Sequence, residues 1–426
     1  MTSILQALSC ADDYDPNSLP VERARQLILD LLPAVGGHER VFVRQALDRV
    51  LAEDVISPID VPAHDNSAMD GWALRSADLA AGETRLKNIG TAFAGRAFAG
   101  KVGAGVTVRI MTGAVLPQGV DCVVIQEVVK VEGDAVIIPP GQRKDQNTRR
   151  AGEDLQAGKP AIPAGRKLRP AEVGIVASLG LGEVSVRRRV RVAIFSTGDE
   201  LCSIGTPLPE GAVYDSNRYT LWGMLTRLGC EVIDMGVVKD DPAALEAAFR
   251  EAAACSDAII TSGGVSVGEA DFIKRLMAQL GEVAFWKIAM KPGRPMAFGR
   301  IAPDGADRPG AWLFGLPGNP VAVMVTFYQF VQPALLKLAG LDPVPPVPLF
   351  PARCVEAMKK SRGRTEFQRG ILFRENDEWC VRPTGAQGSG VLRSMADADC
   401  FIVLEHEREK VGAGDTVMVQ LMNGLV

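Results

Sequence analysis

The period of the hydrophobic pattern changes several times along the chain. Between Pro20 and Pro33, the residues Val21, Ala24, Leu27, Ile28 and Leu31 recur on one helical stripe, which predicts an amphipathic docking helix bounded by the two prolines. A second short helix is expected over residues 43–51, after which Pro58 and Pro62 mark an extended crossing. From there to about 147 the apolar positions fall in short β-runs, such as Thr107-Val-Arg-Ile-Met and Cys122-Val-Val-Ile, separated by glycine-rich turns. A helix over 170–179 follows, opened by Pro170 and stopped at Gly180. Between about 190 and 340 strands alternate with helices. Pro343, Pro345, Pro346, Pro348 and Pro351 then form an extended linker into short strands with glycine hairpins.

These elements predict a multidomain α/β plus β protein. A central three-layer α/β domain with a parallel-type sheet is expected at 185–340, and a β-rich domain at 57–147. A discontinuous, elongated α+β domain is expected from 18–56 with 148–184, and a C-terminal β-barrel-like domain from 341–426. Lys101-Val-Gly-Ala-Gly-Val-Thr-Val and Lys410-Val-Gly-Ala-Gly-Asp-Thr-Val resemble each other, and shared turn chemistry explains them better than a repeat.

A chain of 426 residues has room for two to four such domains. With 47% hydrophobic and 23% charged residues it is expected to fold, and its net charge of −4 lacks the basic excess of a general nucleic-acid binder. The run Arg187-Arg-Arg-Val-Arg191 reads as a solvated strand entrance. The uncharged stretch 309–336 is interrupted by Leu316-Pro-Gly-Asn-Pro320 and reads as a core helix, not a bilayer span. Acidic Asp12, Asp13 and Asp15 replace the basic start of a secretory signal, and eight cysteines form no CxxC, which together fit a cytoplasmic setting. Three scattered histidines leave carboxylates or phosphates to hold any metal.

Three apolar strands each run into a loop of small residues. These loops are Ser196-Thr-Gly-Asp-Glu-Leu201, Thr261-Ser-Gly-Gly-Val-Ser-Val-Gly268 and Gly315-Leu-Pro-Gly-Asn-Pro320. In a parallel α/β sheet such loops gather at the carboxyl edge, where ligands bind. Gly263, Gly264 and Gly268, with the hydroxyls of Ser262 and Ser266, suit a phosphate cradle. Asp199, Glu200, Asp240 and Asp271 lie in or just after these loops, and carboxylates beside a phosphate suggest Mg²⁺. Asp241 is read as the N-cap of the following helix, whereas Asp215 and Asn319 fit a cap or a ligand equally well. Period-two alternation puts Lys287, Ala289 and Lys291 on one face of a strand, and Arg294 could complete an anion site with the lysines.

Two lookalikes are set aside or demoted. Gly95 to Lys101 approximates a P-loop, but Val102 stands where the Mg²⁺-binding hydroxyl belongs. Gly264-Val-Ser266-Val-Gly268 matches GxSxG with His406 downstream, yet Ser262, Gly263 and Gly264 separate Ser266 from its strand, so a serine hydrolase stays a remote rival.

The loops and several further segments, in order and spacing, resemble the molybdopterin molybdenumtransferase family over nearly the whole chain. The segments that carry the likeness are His64-Asp-Asn-Ser-Ala-Met-Asp-Gly71, Arg109-Ile-Met-Thr-Gly113, Ser196 to Leu201, Ser262 to Asp271, Lys287 to Pro295, Leu316 to Pro320, Thr365-Glu-Phe-Gln-Arg-Gly370 and Gln387-Gly-Ser389. The resemblance implies the final step of molybdenum cofactor assembly: molybdate and adenylylated molybdopterin bind, Mg²⁺-dependent cleavage releases AMP, and the finished cofactor leaves. It implies a homodimer in which Asp65 and Thr112 serve the partner's site, although by themselves Asp65, Asn66, Ser67 and Asp70 look like Asx-turn chemistry.

The same resemblance gives Asp199, Glu200, Asp240 and Asp271 phosphate-side or metal-side roles, with Asp199, Glu200 and Asp271 as the metal set. It gives Lys287, Lys291, Arg369 and Ser389 roles toward molybdate or the pterin phosphate, and places Ser196, Thr197, Gly198, Asp215, Pro317, Asn319 and Pro320 in the substrate site. An adenylyltransferase and apo-molybdoenzymes are the implied protein partners, with no nucleic acid and no membrane. His64, Arg294 and Gly390 depart from the family pattern. Related domains that adenylylate molybdopterin, and relatives that act as scaffolds, supply the alternative functions.

Overall fold

The computed structural model describes residues 18–263, 270–303 and 310–422, apart from the side chains of 270–274. The chain separates into two compact units, one of residues 1–39, 48–50 and 187–426, the other of 40–47 and 51–186.

The first unit is built on a six-stranded sheet. Its strands are β1 (Arg191–Thr197), β2 (Glu231–Val238), β3 (Ala258–Ser262), β4 (Gly281–Lys287), β6 (Pro295–Ile301) and β7 (Ala311–Leu316), with the two-residue β5 (Met290–Lys291) between β4 and β6. The order is β2-β1-β3-β7-β6-β4, parallel through β7 and antiparallel beyond it, so the parallel-type sheet carries a two-strand antiparallel edge. The continuous apolar strands are explained by burial on both faces. Val192, Ile194, Ala258, Ile260 and Phe314 enter one core cluster with Leu221 and Leu225 of α2 (Ser216–Leu228). Ala193, Phe195, Ile259 and Leu313 enter a second, against α3 (Pro242–Cys255) and α4 (Ala270–Leu280). This is the three-layer arrangement.

Helix α1 (Val21–Leu31) lays Val21, Ala24 and Ile28 into the first cluster, with Leu335 and Leu338. Arg25 fastens it by donating to Gln329 O (3.0 Å) and Oε1 (2.8 Å). This helix therefore packs on the α/β core of its own unit. The apolar stretch Pro320–Leu338 is long enough to cross a membrane by length and composition, but 72% of it is buried inside the fold. It starts as α5 (Pro320–Thr326).

The C-terminal part is a closed five-stranded barrel of β8 (Phe350–Cys354), β10 (Thr365–Glu375), β11 (Glu378–Pro383), β12 (Cys400–Leu404) and β14 (Thr416–Leu421). Closure comes from β10, which pairs with both β11 and β12. A short pair, β9 (Met358–Lys359) and β13 (Lys410–Val411), stands beside it.

In the second unit, Gly71–Leu74, Thr84–Ala92, Val106–Ile110, Cys122–Ile125, Lys130–Glu132 and Ala135–Ile138 make a six-stranded sheet. Pro170–Ser178 is helical as expected. The helix expected over 43–51 is corrected: only Val43–Gln45 forms a 3-10 turn, and Asp48 adopts a left-handed φ of 64° that ends any helix there. The two similar segments owe their likeness to their turns, since Gly105 and Gly414 occupy matching places with φ of 75° and 92°.

Candidate functional site

The carboxyl ends of β1, β3 and β7 lie side by side, with Ser196 opposite Ser262 and Ser262 opposite Leu316. Their loops line one cleft of about 1060 Å³. Thr197, Gly198, Asp199 and Glu200 come from the first loop, Gly263 from the second, and Pro317, Gly318, Asn319 and Pro320 from the third. Asp240, Tyr214 to Asn217 at the start of α2, Pro295 of β6 and Gly390 also line the cleft. The convergence read from the sequence is thus present in three dimensions.

What holds the loops together is the N-terminus of α2. Asp215, only 2% exposed, accepts from Arg218 N (3.2 Å) as the helix cap and from Ser196 Oγ (3.0 Å), and it pairs with Arg218 Nε (3.0 Å). Asp215 is thus the helix cap and ties the first loop to α2, while still lining the cleft. Asn217 Nδ2 donates to Ser262 Oγ (2.8 Å) and Gly318 O (2.6 Å), so one amide joins the ends of β3 and β7. The sequence reading passed over Asn217. Its signal was the place two residues after a capping aspartate, where a side chain can turn back toward the strand ends. Asn217 Oδ1 and Thr197 Oγ1 are buried beside the cleft and have no hydrogen-bond partner among the described residues. Buried polar atoms are rarely left so, and these two offer contacts to a bound molecule.

Gly263 is fixed by its surroundings: its φ is +97°, and a Cβ there would lie 2.4 Å from Thr197 O. Gly264, Ser266 and the side chain of Asp271, which is the second residue of α4, lie outside the described residues. The phosphate-cradle and GxSxG readings of 264–268 fall there with them. His406 belongs to the barrel end, its carbonyl accepting from Lys360 Nζ (3.2 Å) and its Nε2 lying 3.9 Å from Glu407.

Asp199, Glu200 and Asp240 line the cleft, and the amide of Asp240 approaches Asp199 Oδ1 at 3.5 Å. Asp241 caps α3 through Ala244 N (2.9 Å), as expected. Asn319 makes no side-chain cap bond with α5 and faces the cleft instead. Among the described residues no three candidate ligands gather as a preformed metal cage. Asp199 and Glu200 nevertheless supply the donor set Mg²⁺ commonly uses, one or two carboxylates with substrate phosphates completing the octahedron.

The cationic residues divide differently from the sequence expectation. The alternation over 287–291 is corrected: β4 ends at Lys287, and Ile288, Ala289 and Met290 are all buried. Leu19 covers this stretch as a parallel bridge to Ile288, donating to Lys287 O (2.7 Å) and accepting from Ala289 N (2.8 Å), and the strand breaks just after it, where Met290 N donates back to Ile288 O (2.8 Å) in a tight turn. Lys287 and Lys291 are exposed, and neither lines the cleft. Lys291 instead faces a second pocket of about 400 Å³. Arg294 is exposed, with its carbonyl accepting from Ile288 N (2.7 Å).

Among the described residues Arg369 is the largest fully buried side chain, at 1% exposure. It donates only to neutral acceptors, Ser394 Oγ (3.0 Å), Gly388 O (3.0 Å) and Ala386 O (3.4 Å), and burial pushes its pKa down to about 10. A buried cation with no carboxylate partner among the described residues is an electropositive point beneath the 386–389 loop. That loop reaches the cleft through Ser389, whose carbonyl accepts from Val321 N (3.1 Å), and Gly390, which lines it.

Asp65 and Thr112 lie in the other unit. Asp65 accepts from Ala151 N (2.8 Å) and Arg150 Nη1 (2.7 Å), and these bonds, the Ala151 amide first, hold its carboxyl below the ordinary range. Thr112 donates to Asp70 Oδ1 through its amide (2.7 Å) and hydroxyl (2.6 Å). The Asx-turn chemistry expected of this segment is corrected: Asp65 and Asp70 accept from residues 42 to 86 positions away, and Asn66 Oδ1 has no partner among the described residues. Only Ser67 makes the local turn, its Oγ donating to Met69 O (2.6 Å) and accepting from Met69 N (3.3 Å).

Comparison with known proteins agrees with this architecture. Models of the MoeA N-terminal region (domains I and II), the probable molybdopterin-binding domain and the MoeA C-terminal region (domain IV) match residues 19–180, 193–337 and 351–422. A molybdopterin molybdenumtransferase of Haemophilus influenzae is 44% identical over 410 residues, covering 96% of this chain and all of that protein. One from a Nostoc species is 35% identical over 94% of this chain and 93% of its own. A crystal structure of the molybdopterin biosynthesis moeA protein from Pyrococcus horikoshii superposes with a TM-score of 0.79 at 28% identity, over 95% of this chain and all of that one. Matched from end to end in sequence and in fold, the chain belongs to the molybdopterin molybdenumtransferase family.

Proposed function

We propose that this chain inserts molybdenum into molybdopterin at the cleft beyond β1, β3 and β7, using adenylylated molybdopterin as acceptor and releasing AMP. Family membership carries the molybdenum transfer itself. The observation that carries the placement is the row of acidic residues lining the cleft, Asp199, Glu200 and Asp240, beside Thr197 Oγ1 and Asn217 Oδ1, which have no partner among the described residues.

An adenylylated pterin contains a diphosphate bridge, and the cleft has the volume and polarity for such a molecule. Thr197 Oγ1 donates to a phosphate or ribose oxygen and Asn217 Oδ1 accepts from a substrate N–H or O–H, each satisfying a group that folding leaves open. Asp199 and Glu200 would hold Mg²⁺ against the diphosphate, with Asp271 as a third candidate. When bound, the metal supplies charge neutralisation for the phosphate oxygens as AMP departs. Asp215 and Asn217 keep the three loops in register, so the reacting bond is presented in a fixed orientation.

The positive field of Arg369 and the 387–389 loop favours a dianionic oxyanion such as molybdate near Ser389. Lys287, Lys291 and Arg294 form the outer cationic approach. Asp65 and Thr112 act on the cleft of a second copy in a homodimer. The enzyme works in the cytoplasm, between an adenylyltransferase that supplies its substrate and the apo-molybdoenzymes that take its product.

The test is AMP release from adenylylated molybdopterin with Mg²⁺, with and without molybdate. Native protein should release AMP only when both are present, and Asp199→Asn should lower the rate at least ~10²-fold, as loss of one electrostatic contact to the reacting group does. No molybdate-dependent release by the folded native protein would refute the reading.

A further inference from the structure

The second pocket shares no lining residue with the cleft. It is bounded by Lys291 of β5, Met358 and Lys359 of β9, Lys360, Ser361, Glu366 of β10, Glu409 and Lys410 of β13, and encloses about 400 Å³. That volume is in the range of small-molecule sites.

Its walls contain a local conflict. β9 and β13 pair antiparallel with Lys359 directly opposite Lys410. Directly opposed residues hold their Cβ atoms about 5 Å apart, and like charges so placed destabilise the pair. Among the described residues neither lysine has a carboxylate within 4 Å of its ammonium. The two acidic residues of the pocket are engaged elsewhere. Glu409 pairs with Arg362 (3.7 Å), and the buried Glu366 takes Arg364 Nε (3.1 Å), Gln368 Nε2 (3.3 Å) and, loosely, Lys291 Nζ (3.8 Å). Lys360 adds a third positive group on the same rim, its ammonium donating to Ser361 O (3.1 Å) and His406 O (3.2 Å) with one N–H to spare. Burial disfavours its charge, a cost that an anion would offset. A two-residue strand pair that sets two lysines face to face at a cavity is a local inconsistency of the kind that marks a binding site.

We infer that this pocket binds a small dianionic tetrahedral oxyanion, free or as the terminal phosphate of a larger molecule, bridged between Lys359 and Lys410 with Lys360 and Lys291 at its sides. Ammonium groups disposed around a phosphate-sized anion give charge-assisted hydrogen bonds that the empty pocket lacks. The ligand also removes the repulsion across the β9–β13 pair, so the apo protein carries a strain that binding relieves.

The experiment compares the full chain with Lys410→Gln at fixed low ionic strength, in chloride and then in inorganic phosphate. Without phosphate, Lys410→Gln should melt at or above the native temperature, because one of two facing charges is gone. With phosphate, the native protein should gain several degrees and the variant little, and titration calorimetry should show phosphate binding weakened at least 10-fold. A parallel titration with AMP separates a free ion from an ester-bound phosphate, since only the latter source requires AMP to compete. Equal phosphate stabilisation of both proteins, or a variant that melts well below the native protein in chloride, would overturn the inference. AMP-release activity of Lys410→Gln, measured alongside, separates this site from the cleft: it should stay within ~2-fold of native at saturating substrates.

Discussion

Gly263→Ala tests how closely the cleft depends on two strand ends touching. The residue sits at φ +97°, and an added Cβ would meet Thr197 O at 2.4 Å and Thr197 Oγ1 at 3.1 Å. The left-handed conformation alone costs an alanine ~1–2 kcal/mol. An ordinary contact is at least 3.4 Å, so Thr197 or the 263 loop must also retreat by close to 1 Å. The obstacle is backbone of a strand held on both sides, since β1 pairs with β2 and with β3. A further ~1–2 kcal/mol is reasonable for that displacement. The sum, about 3 kcal/mol, corresponds to roughly 5–10 °C in melting temperature for a unit of this size. Gly205→Ala is the control, with φ +86° and nothing within 4 Å of its Cβ, so it bears the conformational cost only. Calorimetry should rank Gly263→Ala clearly below Gly205→Ala, and AMP release should fall ~10²-fold in the former, the effect expected of a 1 Å misplacement. Equal stability and equal activity of the two variants would refute the close-approach reasoning.

Two further outcomes follow from buried charges. Arg369→Met removes a cation that burial holds at a pKa of about 10 without a carboxylate partner among the described residues, so denaturation should show stability within ~1–2 kcal/mol of native while molybdate-dependent AMP release is largely lost; a strongly destabilised variant would show that the guanidinium is chiefly a structural tie. Glu172 has a pKa of about 2 against an ordinary 4.5, mainly because Arg169 donates to it. Its folded form is therefore the stronger acid, so its stabilising contribution is full above pH ~4.5 and fades as pH falls toward ~2. Acid titration of native protein and Glu172→Gln should converge over that interval, and a difference that persists at pH 2 would contradict it.

The amino-acid sequence by itself determined the α/β centre, because apolar strands ending in small-residue loops require a sheet buried on both faces and put those loops at one edge. It also determined the capping role of Asp241 and the start and stop of the helices at 21–31 and 170–178, where proline, aspartate and glycine act through their immediate neighbours. Local chemistry misled where a distant segment intervened. Leu19 bridges to Ile288 and contributes to the burial of Ala289 on the face expected to be open, whereas the helix expected after Val43 fails locally, at Asp48 in a left-handed conformation. Tertiary structure alone decided that Asp215 accepts from Ser196 and Arg218, that Asn217 joins two strand ends, and that Arg369 is buried without a counter-charge among the described residues. It alone set Lys359 against Lys410 across a pocket. Apart from the local Asp215–Arg218 cap, these depend on residues about twenty to a hundred positions apart meeting within a few ångströms, and such meetings are fixed by packing and register, which no local pattern encodes.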